Sequence, residues 1–224
     1  MLYLVPTPIG NLQDITFRAV DLLTKAEIVL AEDPRKTKLL FTLLKITNQP
    51  KLVPLTKHHR FNLSEIELVK NSLQENPETV VCLLTDAGTP GISDPAIEVV
   101  RLWYKANLPV STLPGATALI PAIVNSGLVT KEFLFLGFLP IKKGRQKIWQ
   151  EIQSAKYPVV IYESVHRLSK FLQEMQHYLA PDRKVSYSRE ISKVFEQTWV
   201  GTVAELVVTN IVNKGEFVWV IDKA

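Results

Sequence analysis

Glu32-Asp33-Pro34-Arg35 sets two carboxylates and a guanidinium within four positions, directly after the apolar run Ile28–Ala31. Carboxylates so placed can accept a proton, and a guanidinium can hold a phosphate through two parallel hydrogen bonds. A second chemical set, Asp86-Ala87-Gly88-Thr89-Pro90-Gly91 with Asp94 beyond it, follows another apolar run, Val80–Leu84. A third is Glu163 with His166 and Arg167, which fits an acid–base group and a helix cap with a salt bridge equally well. Gly/Pro turns recur at Pro6–Asn11, Pro114–Thr117 and Gly137–Pro140. Backbone N–H groups in such turns can hold a carboxylate or a ribose, and glycine lets a ligand approach the backbone.

Several chemistries are excluded by pattern. The sequence has no Gly-x-Gly-x-x-Gly fingerprint, no phosphate-binding P-loop and no Gly-x-Ser-x-Gly elbow. His58, His59, His166 and His177 are not spaced as a ligand set, so no metal is expected. Cys82 is the single cysteine and reads as a small core residue inside an apolar run. With no intramolecular disulfide available, a cytoplasmic location is favoured. No apolar run reaches the roughly 18–20 residues that cross a bilayer, so no membrane association is expected. Net charge is +4, and cations cluster at Lys57–Arg60 and at Lys142-Lys143-Gly144-Arg145-Gln146-Lys147. Such clusters can gather phosphates, and each also fits a solvated loop.

The elements that must position these groups alternate. Leu2–Pro6, Ile28–Ala31, Lys51–Leu55, Val80–Leu84 and Pro109–Thr112 read as strands. Helical periodicity lies between them, with Phe17, Val20, Leu22 and Leu23 expected to face a core. Asp14 or Thr16 can cap the first helix, and Pro34 suits the first turn of the second. About five strand–helix alternations before residue 115 predict a parallel sheet with helices on both faces. Phe133–Phe138, Val159–Tyr162, Lys184–Arg189, Gln197–Gly201 and Glu216–Asp222 follow as strands with fewer helices, which predicts a mixed or antiparallel sheet. The class is therefore α/β in two domains, 1–115 and 116–224.

Nine segments then carry a family resemblance: VPTPIGNLQDITFRA (5–19), AEDPRKT (31–37), LTDAGTPGISDPA (84–96), LPGATAL (113–119), FLGFLPIKKG (135–144), YESVHR (162–167), REISK (189–193), EQTWVGTVAEL (196–206) and KGEFVWVI (214–221). In this order the chain resembles the 16S rRNA cytidine 2′-O-ribose methyltransferases of the tetrapyrrole-methylase superfamily. The resemblance implies S-adenosylmethionine as cofactor, held in a cleft between the two domains. It also implies an rRNA of the 30S subunit as substrate, with the target cytidine in the decoding region, and a homodimer. Cofactor contacts carry over to Pro8, Ile9 and Gly10, to Asp86, Ala87, Gly88 and Thr89, and to Gly115, Ala116 and Thr117. In the second domain they carry over to Gly137, Phe138, Gly201 and Thr202.

Glu32, Asp33 and Arg35 are the candidate catalytic residues, either carboxylate serving as base and Arg35 holding a phosphate. Asp33 as a helix cap and Glu32 paired with a lysine are the competing structural roles. Lys142, Lys143, Arg145, Lys147 and Arg167 are the candidate RNA contacts. Pro34, Ala96 and Val165 stand where the family usually has Thr, Gly and Pro, and many relatives continue past the position of Ala224. Two other readings remain at this point: a tetrapyrrole-type small-molecule methylase, and a ribosome-binding protein without catalysis.

Overall fold

In the computed structural model, which describes residues 1–57 and 60–224, the chain divides into two compact units, Met1–Thr117 and Ala118–Ala224. His58 and His59, the centre of the first basic cluster, lie outside the described residues.

Unit 1 holds a five-stranded sheet in the order β3-β2-β6-β1-β7. Its strands are β1 (Leu2–Leu4), β2 (Ile28–Ala31), β3 (Lys51–Pro54), β6 (Val81–Leu84) and β7 (Val110–Thr112), and every pairing among them is parallel. The unbroken apolar runs are explained by period-two alternation between two buried faces. Leu2, Leu4, Leu30, Val81 and Leu83 point into one core, with α3 (Leu63–Glu75) and α4 (Ala96–Lys105). Val5, Val29, Ala31, Cys82 and Leu84 point into the other, with α1 (Phe17–Lys25) and α2 (Pro34–Leu43). Cys82 is fully buried, and burial pushes its thiol up to about 12, so it is an inert core residue. A short hairpin, β4 (Thr56–Lys57) and β5 (Arg60–Phe61), precedes α3.

One helix face departs from the sequence expectation. Thr16 caps α1 by accepting from the Ala19 N–H at 3.1 Å, and Leu23 is buried, but Phe17 is 97% exposed. As the first residue after the cap it precedes the stripe that Ala19 and Leu23 turn to the sheet. Leu63 and Leu68 of α3 are likewise exposed, while Ile66, Val69 and Leu73 fill the core.

Unit 2 opens with α5 (Leu119–Ser126) and builds a second five-stranded sheet, ordered β11-β10-β12-β9-β8. The strands are β8 (Leu134–Phe138), β9 (Val159–Ser164), β10 (Lys184–Arg189), β11 (Gln197–Thr202) and β12 (Glu216–Ile221). Only β8–β9 is parallel; the other three pairings are antiparallel, which makes the sheet mixed. Tyr187, Phe217 and Trp219 project from one face onto α6 (Arg145–Gln153), α7 (Leu168–Tyr178) and α8 (Val203–Val208) through Trp149, Phe171 and Leu206. Ring centroids 5.2 Å apart for Tyr187–Trp219 and 5.3 Å for Phe171–Trp219 give the tilted packing that aromatic quadrupoles favour. Among the described residues, no helix is long and apolar enough to cross a membrane.

Candidate functional site

Because the unit 1 strands are parallel, the loops leaving β1, β2, β6 and β7 all emerge at one end of the sheet, where open α/β sheets place their ligands. The structure ties these loops together through named bonds. Thr7 and Gly88 exchange backbone hydrogen bonds at 3.0 and 2.9 Å, and the Thr7 hydroxyl donates to the Thr85 carbonyl at 3.1 Å. The Thr89 hydroxyl donates to the Ala116 carbonyl at 3.0 Å, linking the β6 and β7 loops.

Two glycines are required by this assembly. Gly88 sits at φ +79°, and a side chain there would meet Ile9 and the Ala116 carbonyl at 3.4 and 3.7 Å. At Gly115 a Cβ would fall 2.7 Å from that of Pro6, a contact no relaxed structure tolerates. Pro8, Ile9, Gly10, Asp86, Gly88, Thr89, Gly115, Ala116 and Thr117 therefore belong to one loop cluster, with Ala87 exposed on its surface. Asp94 braces the cluster from within by accepting from the Gly91 and Ala96 N–H groups, so it orders the turn into α4.

The charged groups sit at the edge of this cluster. Glu32 Oε2 accepts the Asp86 N–H at 2.9 Å. Burial raises the Glu32 pKa above 4.5 and outweighs the lowering by that hydrogen bond, with the Asp86 and Asp94 carboxylates adding to the rise. Lys36 forms an ion pair with Asp86, which raises the lysine's pKa. Glu32 thus takes a backbone donor, and the lysine of this neighbourhood goes to Asp86 instead. Nothing in the local sequence marks Lys36, since its partner lies fifty positions away.

Asp33 is the N-cap of α2, accepting from the Arg35 N–H at 2.9 Å, and its carboxylate also takes Arg35 Nε and Nη2. Those side-chain bonds pull Asp33 down to about 2. A carboxylate so weakly basic and so fully engaged is a poor proton acceptor near neutral pH. Arg35 remains 90% exposed beyond it.

In unit 2 the expected RNA residues separate. Lys142, Lys143 and Lys147 are exposed, but Arg145 is 4% exposed and lies inside the protein. Its guanidinium donates to Glu174 at 2.8 Å, to the Pro140 carbonyl at 3.0 Å and to Glu163 at 3.4 Å. Burial opposes its charge, and the bonds and attraction from Glu174 and Glu163 outweigh that cost. Arg167 pairs with Glu163 at 2.6 Å, donates to the Leu139 carbonyl and lies 5.7 Å from the Phe138 ring centroid. The expectation that Arg145 contacts RNA is therefore corrected: the fourth residue of the basic run Lys142–Lys147 is a core cation, because α6 turns it toward two carboxylates. Glu163, 1% exposed between two arginines, is a structural ion-pair partner rather than a solvent-facing acid–base group.

Gly137 and Phe138 end β8, whereas Gly201 and Thr202 end β11, at the opposite edge of the sheet. Four strand spacings separate them, about 19 Å, so unit 2 does not bring these two pairs together. Thr202 is occupied as the N-cap of α8 in a reciprocal capping box with Glu205. No group of three or more His, Cys, Asp or Glu among the described residues could hold a metal. A cavity of about 900 Å³ beside α2, bounded by Thr37, Phe41, Ile46 and Leu52, contains none of the expected site residues.

Comparison with known proteins decides the family. Residues 1–207 match the model of the tetrapyrrole (corrin/porphyrin) methylases. The chain belongs to this family. Among curated methylases, a Synechocystis protein named ribosomal RNA small subunit methyltransferase I is 40% identical over 99% of this chain and 78% of its own length. A Hydrogenobaculum protein of the same name is 36% identical over 99% of this chain and 95% of its own. Among solved methylases, uroporphyrin-III C-methyl transferase from Thermus thermophilus, complexed with S-adenyl homocysteine, superposes with a TM-score of 0.60. It is 20% identical and covers 99% of this chain and 96% of its own, a likeness of fold.

Proposed function

We propose that this methylase transfers a methyl group from S-adenosylmethionine to the ribose 2′-hydroxyl of a cytidine in the decoding region of 16S rRNA. The observation that carries the reading is near-full-length identity of 36–40% to relatives that share one name, ribosomal RNA small subunit methyltransferase I. The unit 1 loops fit the cofactor. Gly88 and Gly115 let the loops close on one another, which holds their backbone groups together at this end of the sheet, and the buried Thr85 hydroxyl has no hydrogen-bond partner among the described residues. Pro8–Gly10, Asp86–Thr89 and Gly115–Thr117 are assigned to hold it; Gly137, Phe138, Gly201 and Thr202 carry over from the resemblance alone.

When bound, the cofactor supplies an electrophilic methyl whose bonding electron pair leaves with sulfur. Glu32 takes the proton that the ribose hydroxyl sheds, its basicity raised by burial while Asp86 N–H orients one oxygen. A base so placed contributes roughly 10²–10⁴-fold. Lys36 neutralises Asp86 and keeps that loop seated. Arg35, fixed by Asp33 but open to solvent, steadies a substrate phosphate. Lys142, Lys143 and Lys147 add cationic surface in unit 2. We place the protein in the cytoplasm, where ribosomal subunits are, and as a homodimer, which light scattering checks.

The test is methyl transfer from labelled S-adenosylmethionine to 30S particles, naked 16S rRNA and a tetrapyrrole in parallel. Label on a small-subunit cytidine ribose is expected. Label on the tetrapyrrole alone would establish the small-molecule reading, and cofactor binding without transfer to any of the three would leave a binding protein.

A further inference from the structure

Phe17 is 97% exposed, on a helix whose other apolar positions are turned to the core. Helix entry does not need it. Thr16 supplies the cap, and Ile15 before the cap and Val20 in the next turn, at staple spacing, both pack against the core. The position of the ring is informative. β1 and β2 are parallel members of one sheet, and α1 and α2 pack on the same face of it, so both helices start at the end where the site loops emerge. The exposed ring of Phe17 and the adjacent, exposed Arg18 therefore stand at the rim of this sheet end, as does Arg35 in the first turn of α2. Asp33 and Asp86 on this rim are already matched by Arg35 and Lys36. An open aromatic face next to an exposed cation, here Phe17 and Arg18, suits an unstacked base of single-stranded nucleic acid, the ring on the base and the cation on its phosphate.

We propose that Phe17 is a base-stacking residue that positions the RNA strand beside the loop cluster, an inference that rests on the RNA-methylating reading above. Stacking acts on substrate binding and leaves cofactor binding untouched. An exposed ring also contributes little to the fold, so its removal should leave stability unchanged.

The experiment compares wild type, Phe17→Ala, Phe17→Leu and Phe17→Trp in methyl transfer to 30S particles and to 16S rRNA, with S-adenosylmethionine affinity and thermal midpoint measured on each. The Ala and Leu variants should raise KM for RNA by about tenfold, with cofactor affinity and midpoint unchanged, and Phe17→Trp should restore the wild-type KM. A wild-type KM in Phe17→Leu overturns the stacking role, since Leu keeps the apolar contact and loses the ring face. A lowered thermal midpoint in both Ala and Leu, with KM unmoved, makes the ring structural and also overturns it. If wild type transfers no methyl to RNA, the functional reading itself fails; if wild type transfers and Phe17→Leu equals it, only the stacking role fails.

Discussion

In unit 1, Glu32 and Asp86, in loops beyond the ends of a parallel sheet, meet each other's loop and Lys36 of the first turn of α2 at the molecular surface. In unit 2, Arg145, Glu163, Glu174 and Arg167 meet between a mixed sheet and its helices, two of them almost wholly buried. Both sets look alike in sequence, as short runs of opposite charge after a strand. The difference is topological. A parallel strand delivers its following loop to the ligand-bearing end of the sheet, so AEDPRK remains outside the core. In unit 2, Glu163 of YESVHR and Arg145 of KKGR turn inward to one another, and Arg145 goes on to Glu174, which also takes the Trp149 N–H. The lesson is that charge next to a strand marks a site in the first setting and a structural bracket in the second.

Four variants test that contrast, from the largest expected effect to the smallest. Arg145→Ala removes the buried cation between Glu163 and Glu174, leaving Glu163 to Arg167 and Glu174 to Lys170 and the Trp149 N–H, and should destabilise unit 2 by about 3 kcal/mol, read by chemical denaturation. If Arg145→Ala keeps wild-type stability and instead flattens the salt dependence of RNA binding, the two units do not differ as described. Gly115→Ala forces its Cβ into Pro6 and should cost about 1–3 kcal/mol by overpacking. S-adenosylmethionine titration of that variant should show at least about tenfold weaker binding, as the Thr89–Ala116 link shifts.

Asp33→Asn is expected to preserve the α2 cap and change methyl transfer by less than about threefold. Its effect should appear in acid. A carboxylate lowered to about 2 from 3.8 contributes stability above 3.8 and loses it as pH falls toward 2, so only wild type should show that loss. A large loss of transfer in Asp33→Asn at neutral pH would move the base from Glu32 to Asp33. Replacing Lys142 and Lys143 together by Ala should alter stability by under about 0.5 kcal/mol. It should reduce the salt slope of RNA binding by about 0.7 for each lost single-strand phosphate contact; an unchanged slope removes this segment from the RNA path.

Much of this was legible in the residues. Uninterrupted Val81–Leu84 and Ile28–Ala31 could only be strands buried on both faces, and Lys184–Arg189 coincides with β10. The α/β class, with one parallel and one mixed sheet, followed from the change in strand density. Gly88 and Gly115 announced backbone proximity, and the structure supplies the neighbours that require it. Less legible were pairings across long separations. Nothing local to Lys36 names Asp86, and nothing in KKGRQK says that its arginine alone is buried. That follows from the helical phase of α6 against Glu174 on another helix. Phe17 departs from the core expected of it because apolar character does not report helical phase at a first turn, where this residue lies outside the buried stripe.

The most direct test of the account is Glu32→Gln, assayed for methyl transfer to 30S particles across pH beside a cofactor titration. Gln keeps an oxygen for the Asp86 N–H, and because burial raises the Glu32 pKa, ionised Glu32 opposes folding at neutral pH; the variant should be no less stable than wild type. Wild-type activity should fall on acidification through a pKa above 4.5, as the base is protonated. Glu32→Gln should lose roughly 10²–10⁴-fold in kcat with cofactor affinity intact. Transfer at the wild-type rate, with the same pH profile, would contradict the assignment of the chemistry to this end of unit 1.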